Sequence, residues 1–131
     1  MGYYSTLKEP EGKITKVNRE ALESLNKKLE SEELEGFEEM EIEIDNKGYV
    51  NIEAADFVRK FDDTEEFLNE FAKVVEEGHV VFTFVGDDGG ISSFIVKNGK
   101  VENGLYMIIP ESLLSEIQPI IDRYYQEERK N

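Results

Sequence analysis

His79-Val80-Val81-Phe82-Thr83-Phe84-Val85 is apolar on both parities. Successive side chains of a β-strand point to opposite faces of its sheet. A run that is apolar on both sides therefore predicts a strand covered on both faces, at the centre of a sheet. Gly86-Asp87-Asp88-Gly89-Gly90 follows as a loop, then Ile91 to Val96 as the next strand. A five-residue loop is too short for a parallel crossover, so these two strands are expected to pair antiparallel. Asn98-Gly99 is a tight-turn signal. Lys100-Val101 and Leu105 to Ile109 continue the meander, with Asn103-Gly104 as a second turn or bulge. Pro110 suits the first turn of a terminal helix, whose apolar stripe includes Leu113, Leu114, Ile117 and Ile121. Pro119 lies inside that helix and is expected to kink it or split it near Gln118.

Upstream of the central strand, Asp63 and Glu66 resemble a capping box. Phe67, Leu68, Phe71, Val74 and Val75 then follow helical spacing as far as Glu77, with Gly78 as the C-cap. Residues 53–61 read as a helical turn or an irregular connection. Residues 37–44 read as a strand, Asp45-Asn46-Lys47-Gly48 as a turn, and Tyr49 to Ile52 as the hairpin partner. Near the start, Gly12 to Val17 is a short strand behind a Tyr-rich segment that is free to pair as well. Asn18 caps a helix over 19–32 carrying Ala21, Leu22, Leu25 and Leu29. The order β-α-β-β-α-β-β-β-α predicts one α+β domain over 1–131. Its sheet is twisted and mainly antiparallel, its helices pack mostly on one face, and its C-terminal helix is kinked at a proline.

The composition narrows the function. Thirty acids against fifteen bases give a net charge of −15, which opposes direct nucleic-acid binding and docking on an anionic membrane. A basic protein is the partner that this charge favours. Without cysteine, disulfides and thiolate chemistry are excluded. No apolar run reaches the length of a membrane span and no signal-peptide pattern opens the chain, so a cytoplasmic protein is expected. The charge is uneven: residues 1–28 hold six bases and four acids, and the remainder nine bases and twenty-six acids.

The acidity peaks in residues 30–45, ESEELEGFEEMEIEID, with nine carboxylates and no Lys or Arg. Met40, Ile42 and Ile44 fall on one parity, and Glu39, Glu41 and Glu43 on the other. On one strand the three glutamates form a row facing water, ~6.6–6.8 Å apart, close to the ~7 Å between phosphates of a nucleic-acid strand. A plain reading is edge protection by charge. Against it, like charges in a row repel, and no Lys or Thr is interspersed. Glu39, Glu41 and Glu43 are therefore the candidate partner-binding residues.

Other candidates have structural explanations. Asp87 and Asp88 in their glycine loop suggest a Ca²⁺ or Mg²⁺ site, but match neither an EF-hand nor a phosphate loop, and Asp and Gly are the residues a hairpin turn demands. Asp62, Asp63, Glu65 and Glu66 offer paired carboxylates, which helix capping and the helix dipole explain. His79, the one histidine, is expected beside a helix C-terminus, where the dipole favours its cation. No nucleophile elbow, zinc-protease helix or dinucleotide fingerprint occurs, so neither catalytic residue nor cofactor is expected. Tyr3 with Tyr4 and Tyr124 with Tyr125 are expected either to place one ring in the core and one at its rim or to serve a protein interface, where tyrosines are common.

Met1-Gly2-Tyr3-Tyr4-Ser5, Gly86-Asp87-Asp88-Gly89 and Lys97-Asn98-Gly99-Lys100-Val101 together resemble a group of small bacterial and phage proteins that begin alike and carry a Gly-x-Asp-Gly hairpin. The resemblance implies a phage or mobile-element setting and transfers no catalytic residue. The resulting expectation is a small acidic binding protein, not an enzyme, that inhibits a basic nucleic-acid-binding protein. An immunity protein for a basic nuclease toxin would need the same surface. The alternative from another class is a metal-dependent enzyme or calcium-binding domain using Asp87 and Asp88.

Overall fold

The computed structural model of the protein describes residues 4–108 together with positions 119, 122 and 123. In chain order the elements are β1 (Ser5–Leu7), β2 (Glu11–Val17), α1 (Arg19–Glu30), β3 (Glu41–Ile44), β4 (Val50–Glu53), β5 (Val58–Arg59), α2 (Thr64–Ala72), β6 (Val75–Gly86), β7 (Gly90–Lys97) and β8 (Lys100–Ile108). The fold is α+β. Six strands form one antiparallel sheet in the order β5-β1-β6-β7-β8, with β2 also on β6, and β3 and β4 form a separate hairpin. The terminal helix expected from Pro110, with its kink at Pro119, falls outside the described residues apart from those isolated positions.

The central strand is β6, as its double-sided pattern requires. One edge pairs with β7; the other is shared end to end by β2 and β1. Pro10 lies between those two strands and has no N–H to donate to the ladder. The chain slips there by one residue: Leu7 stands opposite Phe84, and Glu11 opposite Val81. Phe82↔Phe94 and Val80↔Val96 mark one face of the β6–β7 pair; Val81↔Ile95 and Val85↔Ile91 mark the other. The first face meets α2, with Phe82 edge-on to Phe67 at 5.6 Å and to Phe71 at 4.9 Å. On the second face Val81, Ile91 and Ser93 are buried as well.

α1 turns Leu22, Leu25 and Leu29 inward, a single stripe at helical spacing. Asn18 caps it, its side-chain oxygen accepting from Ala21 N–H at 3.1 Å. Glu70 of α2 binds Lys28 of α1 and Lys73, each at 3.1 Å. Burial works to raise the Glu70 pKa, but the hydrogen bonds and charges of Lys73 and Lys28 outweigh it and hold the group below its ordinary value. The carboxylate thus stays ionised as the bridge between the two helices.

Three sequence expectations are corrected. α2 ends at Ala72 rather than Glu77, and Gly78 is no C-cap but lies inside β6. Val74 and Val75 fit helical spacing from Phe71. Val75 is β-branched and its pairing with Val17 puts it in the strand, while Val74 lies in the turn that ends the helix, its N–H donating to Phe71 O at 2.9 Å. Asp63 precedes α2, yet its side chain makes no capping bond. Its Oδ2 accepts from Glu35 N–H at 2.7 Å while its own N–H donates to Glu35 O at 3.0 Å, a reciprocal clasp on the 31–40 loop. Residues 53–61 contain β5, which adds to the edge of β1.

Candidate functional site

The acidic hairpin is built from its turn outward. Asp45 Oδ1 accepts from the N–H groups of Lys47 at 2.9 Å and Tyr49 at 3.0 Å, and Gly48 adopts the left-handed φ of 94° that closes the turn. Register then pairs Glu41↔Glu53, Ile42↔Ile52, Glu43↔Asn51 and Ile44↔Val50. Ile42, Ile44 and Val50 are buried. Glu41, Glu43, Asn51 and Glu53 are exposed on the opposite face. Glu39 is exposed but lies outside the strand, in a turn at φ 59°.

The expected strand over 37–44 is therefore shorter, and the three-glutamate row on one strand is broken after Glu41. Phe37 and Met40 are buried by a looped backbone instead. Gly36 (φ 92°) explains the loop: a Cβ there would stand 2.4 Å from Lys60 O. The face is completed across the hairpin by Glu53, which the sequence reading missed. Its signal was available, because Glu53 has the parity opposite to the apolar Ile52 on the partner strand.

Side chains of α1 fasten this face to the body, among them Arg19, whose Nη1 donates to Ile44 O at 3.5 Å, and Asn26. Asn26 of α1 donates from Nδ2 to Ile42 O and accepts at Oδ1 from Ile42 N–H, both at 2.9 Å. It satisfies the edge of β3 that β4 leaves open. Asn26→Ala would orphan both backbone groups, so a loss of about 1–3 kcal/mol is expected in urea unfolding. Amide exchange at Ile42 should quicken more than at Val80 in β6. Unchanged exchange at Ile42 would show that the clasp does not hold the hairpin.

The remaining candidates separate. Asp87 and Asp88 are exposed at the β6–β7 turn, where Asp88 Oδ1 accepts from Gly90 N–H at 2.9 Å and Asp87 N–H donates to Tyr4 O at 3.0 Å. Among the described residues no three His, Asp or Glu side chains converge on a metal position. Asp62, Asp63, Glu65 and Glu66 sit around the start of α2, with Asp63 committed to Glu35. His79 is not beside a helix end: it lies within β6, opposite Lys13 of β2. Tyr4 is half exposed, with Lys60 Nζ 5.4 Å from its ring centre; Tyr3, Tyr124 and Tyr125 lie outside the described residues. No described helix is long and apolar enough to cross a membrane.

A second surface went unseen in the sequence. β2, the start of α1 and the β3–β4 turn line an open cleft of about 590 Å³, with Lys13, Lys16, Arg19 and Lys47 on its walls and Asp45 the one acid among its lining residues. A smaller lobe of about 340 Å³ adjoins it, sharing Lys13, Thr15 and Tyr49 and adding Gly12, Gly78 and His79. Ile14 N–H donates to Gly48 O at 2.9 Å and draws the turn onto β2. A Cβ at Gly48 would stand 2.1 Å from Ile14 O, so only glycine permits this approach. Lys47 lies some thirty positions from the other three bases, which is why the cluster cannot be read from local composition.

No protein-family model, no curated protein and no solved structure matches this chain.

Proposed function

We propose that the protein is a small, acidic, non-enzymatic binding protein whose hairpin face receives a basic partner. The target class is a nucleic-acid-binding protein, which the chain would inhibit by occupying its basic surface, in a phage or mobile-element setting.

The observation that carries this reading is the Glu41↔Glu53 pair. Like charges directly opposite on neighbouring strands destabilise a hairpin. Edge protection alone is served equally well by Lys. Here Glu43 lies next to the pair on the same strand face, and the strands 41–44 and 50–53 contain no base. The Asn26 clasp and the 45–48 turn fix the backbone that carries these glutamates before any partner arrives, which lowers the backbone part of the ordering cost of association. Complementary charge then acts mainly on the association rate.

The test is charge reversal at Glu41, Glu43 and Glu53 together. These side chains are exposed, so stability should change by no more than about 0.5 kcal/mol per site. The association rate with a labelled arginine-rich peptide should fall by about tenfold or more at low salt and converge toward the wild-type rate at high salt, where screening is short-ranged. An unchanged rate would overturn the proposal.

A further inference from the structure

We propose that the cleft between β2, the start of α1 and the β3–β4 turn binds an organic polyphosphate carrying a flat ring, a ligand of the nucleotide class.

Charge is the first argument. In a chain with two acids for every base, this wall reverses the ratio, four bases to one acid. Asp45, the one acid, already accepts two turn N–H groups. Lys13, Arg19 and Lys47 make no ion pair with the described residues. Lys16 bridges Glu76 at 3.5 Å with its side chain 68% exposed, a contact that water or a phosphate can displace at little cost. Lysine and arginine are the side chains that bind phosphate by charge-assisted hydrogen bonds.

Shape is the second. Both lobes lie within the ~300–1,000 Å³ of small-ligand clefts. The larger holds the bases, while the smaller is floored by Gly12 and Gly78 and flanked by His79. Tyr49 stands between them with half its surface exposed, a ring placed to stack on a planar group. Polyphosphate in the basic lobe and ring on Tyr49 fit this division. The walls are fixed by the Ile14–Gly48 backbone bond. The net charge of −15 repels an anion everywhere else, so any measurable affinity must arise locally.

The test is calorimetry on the full chain with metal-free ATP and with inorganic tripolyphosphate, at low salt. Both should bind the wild type. Lys13→Glu with Lys47→Glu should weaken ATP by about tenfold or more, while Lys27→Glu with Lys97→Glu, an equal change in net charge, should weaken it by no more than about twofold. Lys13→Gln with Lys47→Gln repeats the test should the reversed pair fail to fold. Tyr49→Ala should weaken ATP and leave tripolyphosphate unchanged. Reversing Glu41, Glu43 and Glu53 should not weaken ATP, so this site and the acidic face stand or fall separately. No heat with millimolar ATP, equal losses in the two double variants, or full ATP affinity in Tyr49→Ala would overturn the proposal.

Discussion

Phe67→Ala will cost about 3–5 kcal/mol, measured as the shift of the urea midpoint at constant slope. Phe67 is fully buried and joins three parts of the chain. It stacks on Phe37 of the 31–40 loop at 4.3 Å and 6°, meets Phe82 of β6 edge-on, and lies 6.2 Å from Phe71 on its own helix. Truncation removes the transfer energy of a ring and leaves a void that Phe37 and Phe82 cannot both close. A domain of this size has roughly 5–15 kcal/mol in hand, so the variant will approach the edge of folding. A loss below about 1 kcal/mol would mean that the aromatic cluster is not the centre of the core.

Gly78→Ala will cost at least about 3 kcal/mol, for two reasons that add. Its φ of 102° lies where side chains are strained, and the new Cβ would stand 2.3 Å from Lys13 O on β2. The collision is with backbone, so no rotamer relieves it. Gly12 faces the same strand crossing from the other side, its Cβ position 2.4 Å from His79 O. Gly99→Ala separates the two causes: its φ is 76°, but nothing lies within 4 Å of a Cβ there. That variant should lose only the cost of the dihedral, about 1–2 kcal/mol. Equal losses at Gly78 and Gly99 would remove the steric part of the account.

What was legible in the sequence follows from the range of the interactions that decide it. Val80 to Val85 declared a central strand because burial on two faces leaves its mark on every residue. Asn18, the Asp45–Gly48 turn and Asn98-Gly99 were legible because caps and turns are settled within four residues. Gly78 misled because a glycine after an apolar helical stripe resembles a C-cap. Its actual cause, the carbonyl of Lys13, lies on another strand. Asp63 misled likewise, since Glu35 competes for its carboxylate from 28 positions away. The acidic face was half visible: the alternation from Met40 to Ile44 set which residues face water, but register alone brought Glu53 opposite Glu41. The basic cleft was invisible, because Lys47 joins Lys13, Lys16 and Arg19 only once Gly48 lets the turn approach β2.

The central claim is that one face, and not the overall charge, receives a basic partner. Two triple variants of equal net charge test it most directly. One reverses Glu41, Glu43 and Glu53 to Lys; the other reverses Glu9, Glu23 and Asp87, which are exposed elsewhere. Their association rates with the same arginine-rich peptide are compared at one low salt concentration. The account predicts a fall of about tenfold or more for the hairpin variant and of no more than about twofold for the other. Equal falls in both would contradict it, and would leave the hairpin glutamates as one part of a uniformly acidic surface.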